Sequence, residues 1–383
     1  MIKLQDKTLL LLSSTGAAAF IFLALVEVKP NRIEAGLKYS GFSFLGLFGL
    51  FVLSLWISLA IASFYKKNGK NRFIFLASSS LIISLFWGLK VNSSSFVEVN
   101  LSSRISLSAS FYLQILVIYL LFAIYTPRIK NHKALKIIGF SAIALMLYYL
   151  FISGGFNSLS IIKEYAIKKS QFYDNLKIHA GLTFASVISG TLIAVPLGFL
   201  AYSKKKLEGK IMLPLSIIET IPSLSLFGIL LVPLSNLGKL PFFDVLGVSG
   251  IGWAPAFVAL TLYTLLPIGR NTLTGFYSVD KAAIEAARGM GMSRSQILKQ
   301  IELPLAFPVI FTGIRIAFIQ TIGGAVLAGL VGGGGMGSFV FLGLGEASPD
   351  LILLGVLPIV VFTILLDYIL KYFEKMIRRV TYD

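Results

Sequence analysis

Residues 281–304 read KAAIEAARGMGMSRSQILKQIELP, a polar island between two apolar runs at 253–269 and 306–330. The spacing within it predicts two short helices joined by a glycine elbow. Ser278 or Asp280 is placed to cap the first helix, which runs through the alanine-rich segment from Lys281 to Arg288. Gly289 and Gly291 end it, because glycine accepts left-handed backbone. Ser293 and Gln296 form the S-x-x-Q pattern of a capping box and open the second helix. Pro304 is expected to limit that helix and to start the next apolar run. Such an elbow is either a solvated connector or a shape that inserts into a groove on another protein.

The flanks decide what kind of chain carries this island. Of 383 residues, 56% are hydrophobic and 13% are charged. A soluble domain carries about 25% charged residues to keep its surface in water. At half that share, the natural solvent is lipid. Ten segments approach the ~20 apolar residues that a crossing needs: 8–28, 40–64, 73–89, 109–125, 137–153, 180–201, 211–236, 253–269, 306–330 and 351–370. Barrel-like alternation is absent, and helices satisfy their own backbone groups in lipid. The expected fold class is therefore an all-α integral membrane protein with about ten transmembrane helices.

A net charge of +17 suggests membrane orientation rather than nucleic acid. With the N-terminus placed inside, the inner segments hold 23 basic residues and the outer ones 10; Arg315 within a span completes the 34. That bias puts both termini, and the island, in the cytoplasm. Lys3 and Lys7 before the first apolar run resemble a signal peptide, but the run exceeds the ~7–15 residues of a signal core and no small-x-small site follows. It reads as a retained helix.

The chain also changes character along its length. Residues 1–153 form an N-terminal five-span membrane region of plain aliphatic and aromatic composition. Residues 154–179 are a polar periplasmic linker with an interfacial helix expected around Ile161 to Lys169. Residues 180–383 are rich in Gly, Pro, Ser and Thr, which belong where helices pack closely or line a water-filled path. Function is expected in this second part.

Here a resemblance enters. Glu285, Ala286, Ala287, Gly291, Ile301, Leu303 and Pro304 match, without a gap, the EAA motif of permeases of binding-protein-dependent ABC importers. Residues 219–225 (ETIPSLS), 265–272 (LLPIGRNT), 288–292 (RGMGM) and 303–310 (LPLAFPVI) look like the osmoprotectant branch, which imports glycine betaine, choline or carnitine. The resemblance covers about residues 175–375. It implies that 180–383 is an ABC type I importer permease core whose EAA loop, 280–304, receives a separate ATPase subunit. Glu285 would supply a charged contact, Ala286 and Ala287 close approach, and Gly291 the elbow. Ile301, Leu303 and Pro304 would anchor the loop to its span. It further implies a periplasmic or lipid-anchored substrate-binding protein, a second permease subunit (a copy or a paralogue), and a bacterial cytoplasmic (inner) membrane.

Other chemistry finds little support. The four glycines Gly332 to Gly335 are not followed by the G-K-[ST] of a phosphate-binding loop, so no cofactor is expected on this chain and ATP with its magnesium belongs to the partner. There is no cysteine, and His132 and His179 stand far apart, so no metal site and no catalytic residues are expected. For the substrate path the candidates are Glu219, Pro222, Ser223 and Arg315. Glu219 inside a span lines the path, pairs with a buried cation or ties helices together. Arg315 is either its partner or snorkels to the inner surface. Pro222 with Ser223 is expected to break its helix and free carbonyls. The rival functions are an amino-acid permease of the same superfamily and an ion-coupled secondary carrier.

Overall fold

The structure, a computed structural model, describes residues 5–31, 34–65, 69–97, 103–129 and 132–382; Lys3 lies outside them. The chain divides into two compact units, Met1–Ile167 and Lys168–Asp383.

The first unit opens with α1 (Lys7–Phe22), capped by the Asp6 carboxylate, which accepts the Leu9 N–H at 3.0 Å. Strands β1 (Ala24–Lys29) and β2 (Leu37–Ser40) follow, then α2 (Gly41–Leu45), α3 (Leu47–Ala62) and α4 (Lys70–Val97). Strand β3 (Arg104–Leu107) precedes α5 (Ala109–Tyr125), α6 (Lys133–Ile152) and α7 (Ser160–Ile167). The strands form one antiparallel sheet in the order β2-β1-β3, with Glu27 opposite Lys38 on one side and Ser106 on the other. An all-α chain was expected, so the sheet is a correction. The alternating VEVK run at 26–29 had been absorbed into the first apolar segment.

Large side chains fill this unit's core: Trp56, Tyr125, Phe20 and Phe44 are essentially inaccessible. Four of its polar contacts close buried groups off in pairs. The Trp56 indole N–H donates to Gln114 Oε1 at 2.7 Å, and Gln114 Nε2 donates to the Gly16 carbonyl at 2.6 Å. Gly16 lets this happen, because a Cβ there would sit 2.6 Å from the indole ring. The Tyr125 hydroxyl donates to Asp6, as does Lys70 at 3.2 Å, tying α1, α4 and α5 together. Arg104 on β3 pairs with buried Glu164 on α7 at 2.7 Å.

The second unit comprises α8 (Lys169–Ser203), α9 (Lys205–Thr220), α10 (Ser223–Leu237), α11 (Pro241–Val245), α12 (Trp253–Tyr277), α13 (Lys281–Gly289), α14 (Arg294–Ile297), α15 (Leu303–Gly324), α16 (Gly337–Gly345) and α17 (Pro349–Tyr382). A π-helical turn, Leu298–Glu302, links α14 to α15, and a 3-10 turn, Ala325–Val331, follows α15. Helix α12 packs along both α8 and α15. Small residues make this possible. Gly190 of α8 lies against the Thr264 hydroxyl, Gly198 has the Gly269 carbonyl 2.7 Å from where a Cβ would stand, and Gly275 has the Ala306 carbonyl at 2.9 Å. Such close backbone approach is what small residues provide between helices in lipid.

Five helices among the described residues combine span length with apolarity: Lys70–Ser93, Lys133–Ile152, Lys169–Ser203, Arg294–Val331 and Pro349–Arg378. Helices α9 and α10, bent by 106° at their junction, make a sixth if they count as one crossing. The other four expected segments fall short of this length and apolarity for local reasons. Segment 8–28 divides into a 16-residue helix and a strand, and 40–64 breaks at Gly46 (φ +55°) to leave α3 with 16 residues. Helix α5 has only 17 residues. Helix α12 has 25, but Pro255, Pro267, Arg270 and Asn271 dilute its apolar character.

Candidate functional site

The loop at 280–304 folds as an exposed knuckle. Asp280 accepts the Ala282 N–H at 2.9 Å and caps α13. At the other end the Gly291 N–H reaches the Arg288 carbonyl (3.0 Å) and the Met292 N–H reaches that of Ala287 (3.2 Å). This pair of bonds is the Schellman arrangement, and it needs a left-handed residue at its turn. Gly291 supplies it at φ +82°, with open space around its Cα. Ser293 and Gln296 then complete both halves of a capping box.

Glu285 and Ala286 are exposed, whereas Ala287 is 1% exposed and faces inward. Met290, at the tip, is 74% exposed. Leu303 and Pro304 are also exposed and Ile301 is half-buried. The knuckle therefore offers a carboxylate, a small residue and a flexible apolar tip to whatever it meets.

Pro304 does not end the second helix, contrary to expectation. The backbone runs from Arg294 into α15 without interruption, and Pro304 lies in the first turn of α15. The wide π turn just before it accommodates the ring, which in a regular helix would clash with the carbonyl four residues earlier. The loop is consequently welded to its span by continuous helix.

Sequence reasoning missed the carboxylate that holds this weld. Glu302 sits inside the π turn, is fully buried, and through Oε1 accepts from Arg294 (3.1 Å) and from the Tyr202 hydroxyl of α8 (3.2 Å). Its Oε2 meets no donor among the described residues. A buried carboxylate needs such partners. The available signal was an acidic residue eight positions after Arg294, inside a motif that specifies only its neighbours. A second tie is exposed: Tyr277 donates to Glu208 at 2.8 Å. That bond to a carboxylate, and to a smaller extent burial, raises the phenol above its ordinary value.

Among the path candidates, Pro222 and Ser223 sit where expected. Helix α9 ends at Thr220, Ile221 is extended (ψ 126°), and α10 starts after Pro222. The Ile221 carbonyl, freed by the break, accepts the Tyr263 hydroxyl at 2.7 Å. Glu219 precedes the break and borders a cavity of about 250 Å³ with Tyr263 and Gln320. Arg315 is not joined to it. Its guanidinium is bound on α17, 2.7 Å from Asp367 and 3.0 Å from Glu374. Asn271, at the end of the motif-like 265–272 stretch, donates to the Pro267 carbonyl at 2.8 Å.

The chain has known relatives over both units. Residues 5–162 match the model of the N-terminal domain of the ABC transporter permease YehY. The choline transport system permease OpuBB of Bacillus subtilis is 40% identical over 197 residues, 51% of this chain and 84% of that one. The osmoprotectant import permease OsmW of Salmonella typhimurium is 38% identical over 52% of this chain and 88% of its own length. A solved structure of the MetNI methionine ABC transporter in an inward-facing conformation is similar at a TM-score of 0.47 and 24% identity, over 55% of this chain and 97% of that one. Residues 186–379, just over half of the chain, match the model of the binding-protein-dependent transport system inner membrane component. The chain belongs to that family, whose members are membrane-embedded transport subunits rather than enzymes.

Proposed function

We propose that this chain is the permease subunit of an ATP-driven osmoprotectant importer, and that a separate ATPase subunit docks on the loop at 280–304. The observation that carries the docking role is the exposed knuckle of α13 and the Gly291 turn, whose second arm runs from Arg294 as unbroken helix into α15. A push on the knuckle would then reach the membrane helices without passing through a slack connector. Glu285 and Ala286 form the contact, Ala287 packs inward behind them instead of making the close approach expected of it, Gly291 sets the elbow, and Ile301, Leu303 and Pro304 join it to the span.

Glycine betaine, choline or carnitine is the inferred cargo, supported by the relatives that carry choline or other osmoprotectants at 37–40% identity. The partners would be the ATPase, a substrate-binding protein and a second permease subunit. We also infer that the three shorter apolar helices and α12 cross the membrane, giving ten crossings with both termini in the cytoplasm. A helix of 16–17 residues spans about 25 Å, close to the ~30 Å hydrocarbon core. The test is reconstitution of the chain with its ATPase and binding protein in proteoliposomes. ATP-dependent uptake of a labelled osmoprotectant is expected; uptake by the chain alone, driven by an ion gradient, would overturn the proposal.

A further inference from the structure

Beside the Ile221–Pro222 break lies the cavity of about 250 Å³ lined by Glu219, Leu260, Tyr263, Gln320, Thr321 and Gly324. Its one carboxylate, Glu219, has no cationic partner among the described residues, because the basic side chain available within the neighbouring span, Arg315, is committed to Asp367 and Glu374. Glu219 and Gln320 are both exposed at the open side of this cleft, and a carboxylate on an apolar helix is costly unless water or a cation reaches it. The Tyr263 hydroxyl proton is spent on the Ile221 carbonyl, so the phenol is fixed in place at the wall. A charged group, an aromatic wall and apolar neighbours thus converge at a deformable point of the bundle.

The chemistry selects the guest. A small hard cation takes six or more oxygen ligands, and this cavity brings one carboxylate; no group of three or more acidic or histidine side chains suited to a metal exists among the described residues. A quaternary ammonium has no N–H to satisfy. It needs a counter-charge and a polarisable wall, which a carboxylate and a tyrosine ring provide. We propose that this cavity is a waypoint on the transport path for the quaternary ammonium head of the cargo, with Glu219 as counter-charge and Tyr263 as wall. This rests on the osmoprotectant reading above. It adds a recognition step inside the permease, separate from the external binding protein.

The two kinds of cargo separate the consequences. Choline carries only the positive charge, whereas glycine betaine brings its own carboxylate and depends less on Glu219. In proteoliposomes holding the whole transporter, Glu219→Gln is expected to cut choline uptake about tenfold and glycine betaine uptake no more than about threefold. Glu219→Asp should keep most of the choline rate. An unchanged ratio of the two substrates in Glu219→Gln would overturn the waypoint. A second measurement covers the case in which Glu219 variants fail to assemble. The chain has no cysteine, so Gln320→Cys is a single labelling site in the same cavity. Choline chloride at about four times its half-saturating concentration should slow labelling there by a maleimide about fivefold, and sodium chloride of equal strength should not. Equal rates in the two salts would also overturn it. If the unmodified transporter moves neither cargo, the osmoprotectant reading fails instead.

Discussion

The two units solve the problem of burying polar groups in opposite ways. In the first, large residues dominate and the key polar groups meet inside the fold: Trp56 with Gln114 and Gly16, Tyr125 with Asp6. In the second, small residues bring α8, α12 and α15 into backbone contact, and two carboxylates are left at edges, Glu219 at a cavity and Glu285 on a knuckle. The first arrangement ties its helices together through buried polar pairs. The second contains the elements that a moving machine needs, namely a helix break bent by 106°, a π turn and an exposed lever.

Substitutions can break this contrast from either side. The largest effect should come from Trp56→Ala in the closed core, at about 3–5 kcal/mol of stability, because it empties a fully buried site and strands Gln114. Thermal unfolding in detergent measures it. In the second unit Arg315→Leu removes the cation that Asp367 and Glu374 share and leaves them only the exposed Lys371 and Arg378. Since the site is partly open, a loss of about 1–3 kcal/mol is expected, with Asp367→Asn in the same chain restoring part of it.

Smaller changes sharpen the picture at the loop. Gly291→Ala forces a side chain into left-handed backbone where there is room but no easy geometry, and should cost about 1–2 kcal/mol locally. Hydrogen exchange of residues 281–297 reads that fraying, and the first unit should be unaffected. The smallest effect is electrostatic. The hydrogen bond from Tyr277 to Glu208 favours the neutral phenol, so the contact is intact below the ordinary tyrosine range and is lost as pH rises through the raised value. Glu208→Gln should move the Tyr277 titration, followed by absorbance or NMR, down towards the ordinary value.

How much of this was legible depended on the length scale of the signal. Caps and turn chemistry were readable because they are local: Asp280, Gly291 and the Ser293–Gln296 box all do what their spacing requires. The break at Pro222 was legible for the same reason. The sheet was hidden because only four residues of alternation, Val26 to Lys29, continue an apolar run. The partner of Arg315 was misread because Asp367 and Glu374 lie 52 and 59 residues downstream, and only the packing of α15 on α17 brings them near. Glu302 escaped because its role lies in Tyr202 and Arg294, on other turns of the chain. Long-range polar pairs of this kind have no period for a sequence to display.

On the proposed docking, force enters at the α13 knuckle. Glu285 is exposed and makes no ion pair among the described residues, so reversing its charge should leave the fold and thermal stability of the chain intact. Copurification of the ATPase with Glu285→Arg, alongside ATP-driven uptake in proteoliposomes, is the most direct measurement. Loss of both with an undisturbed melting curve is the result expected. Full ATPase association and full uptake in Glu285→Arg would contradict the docking role.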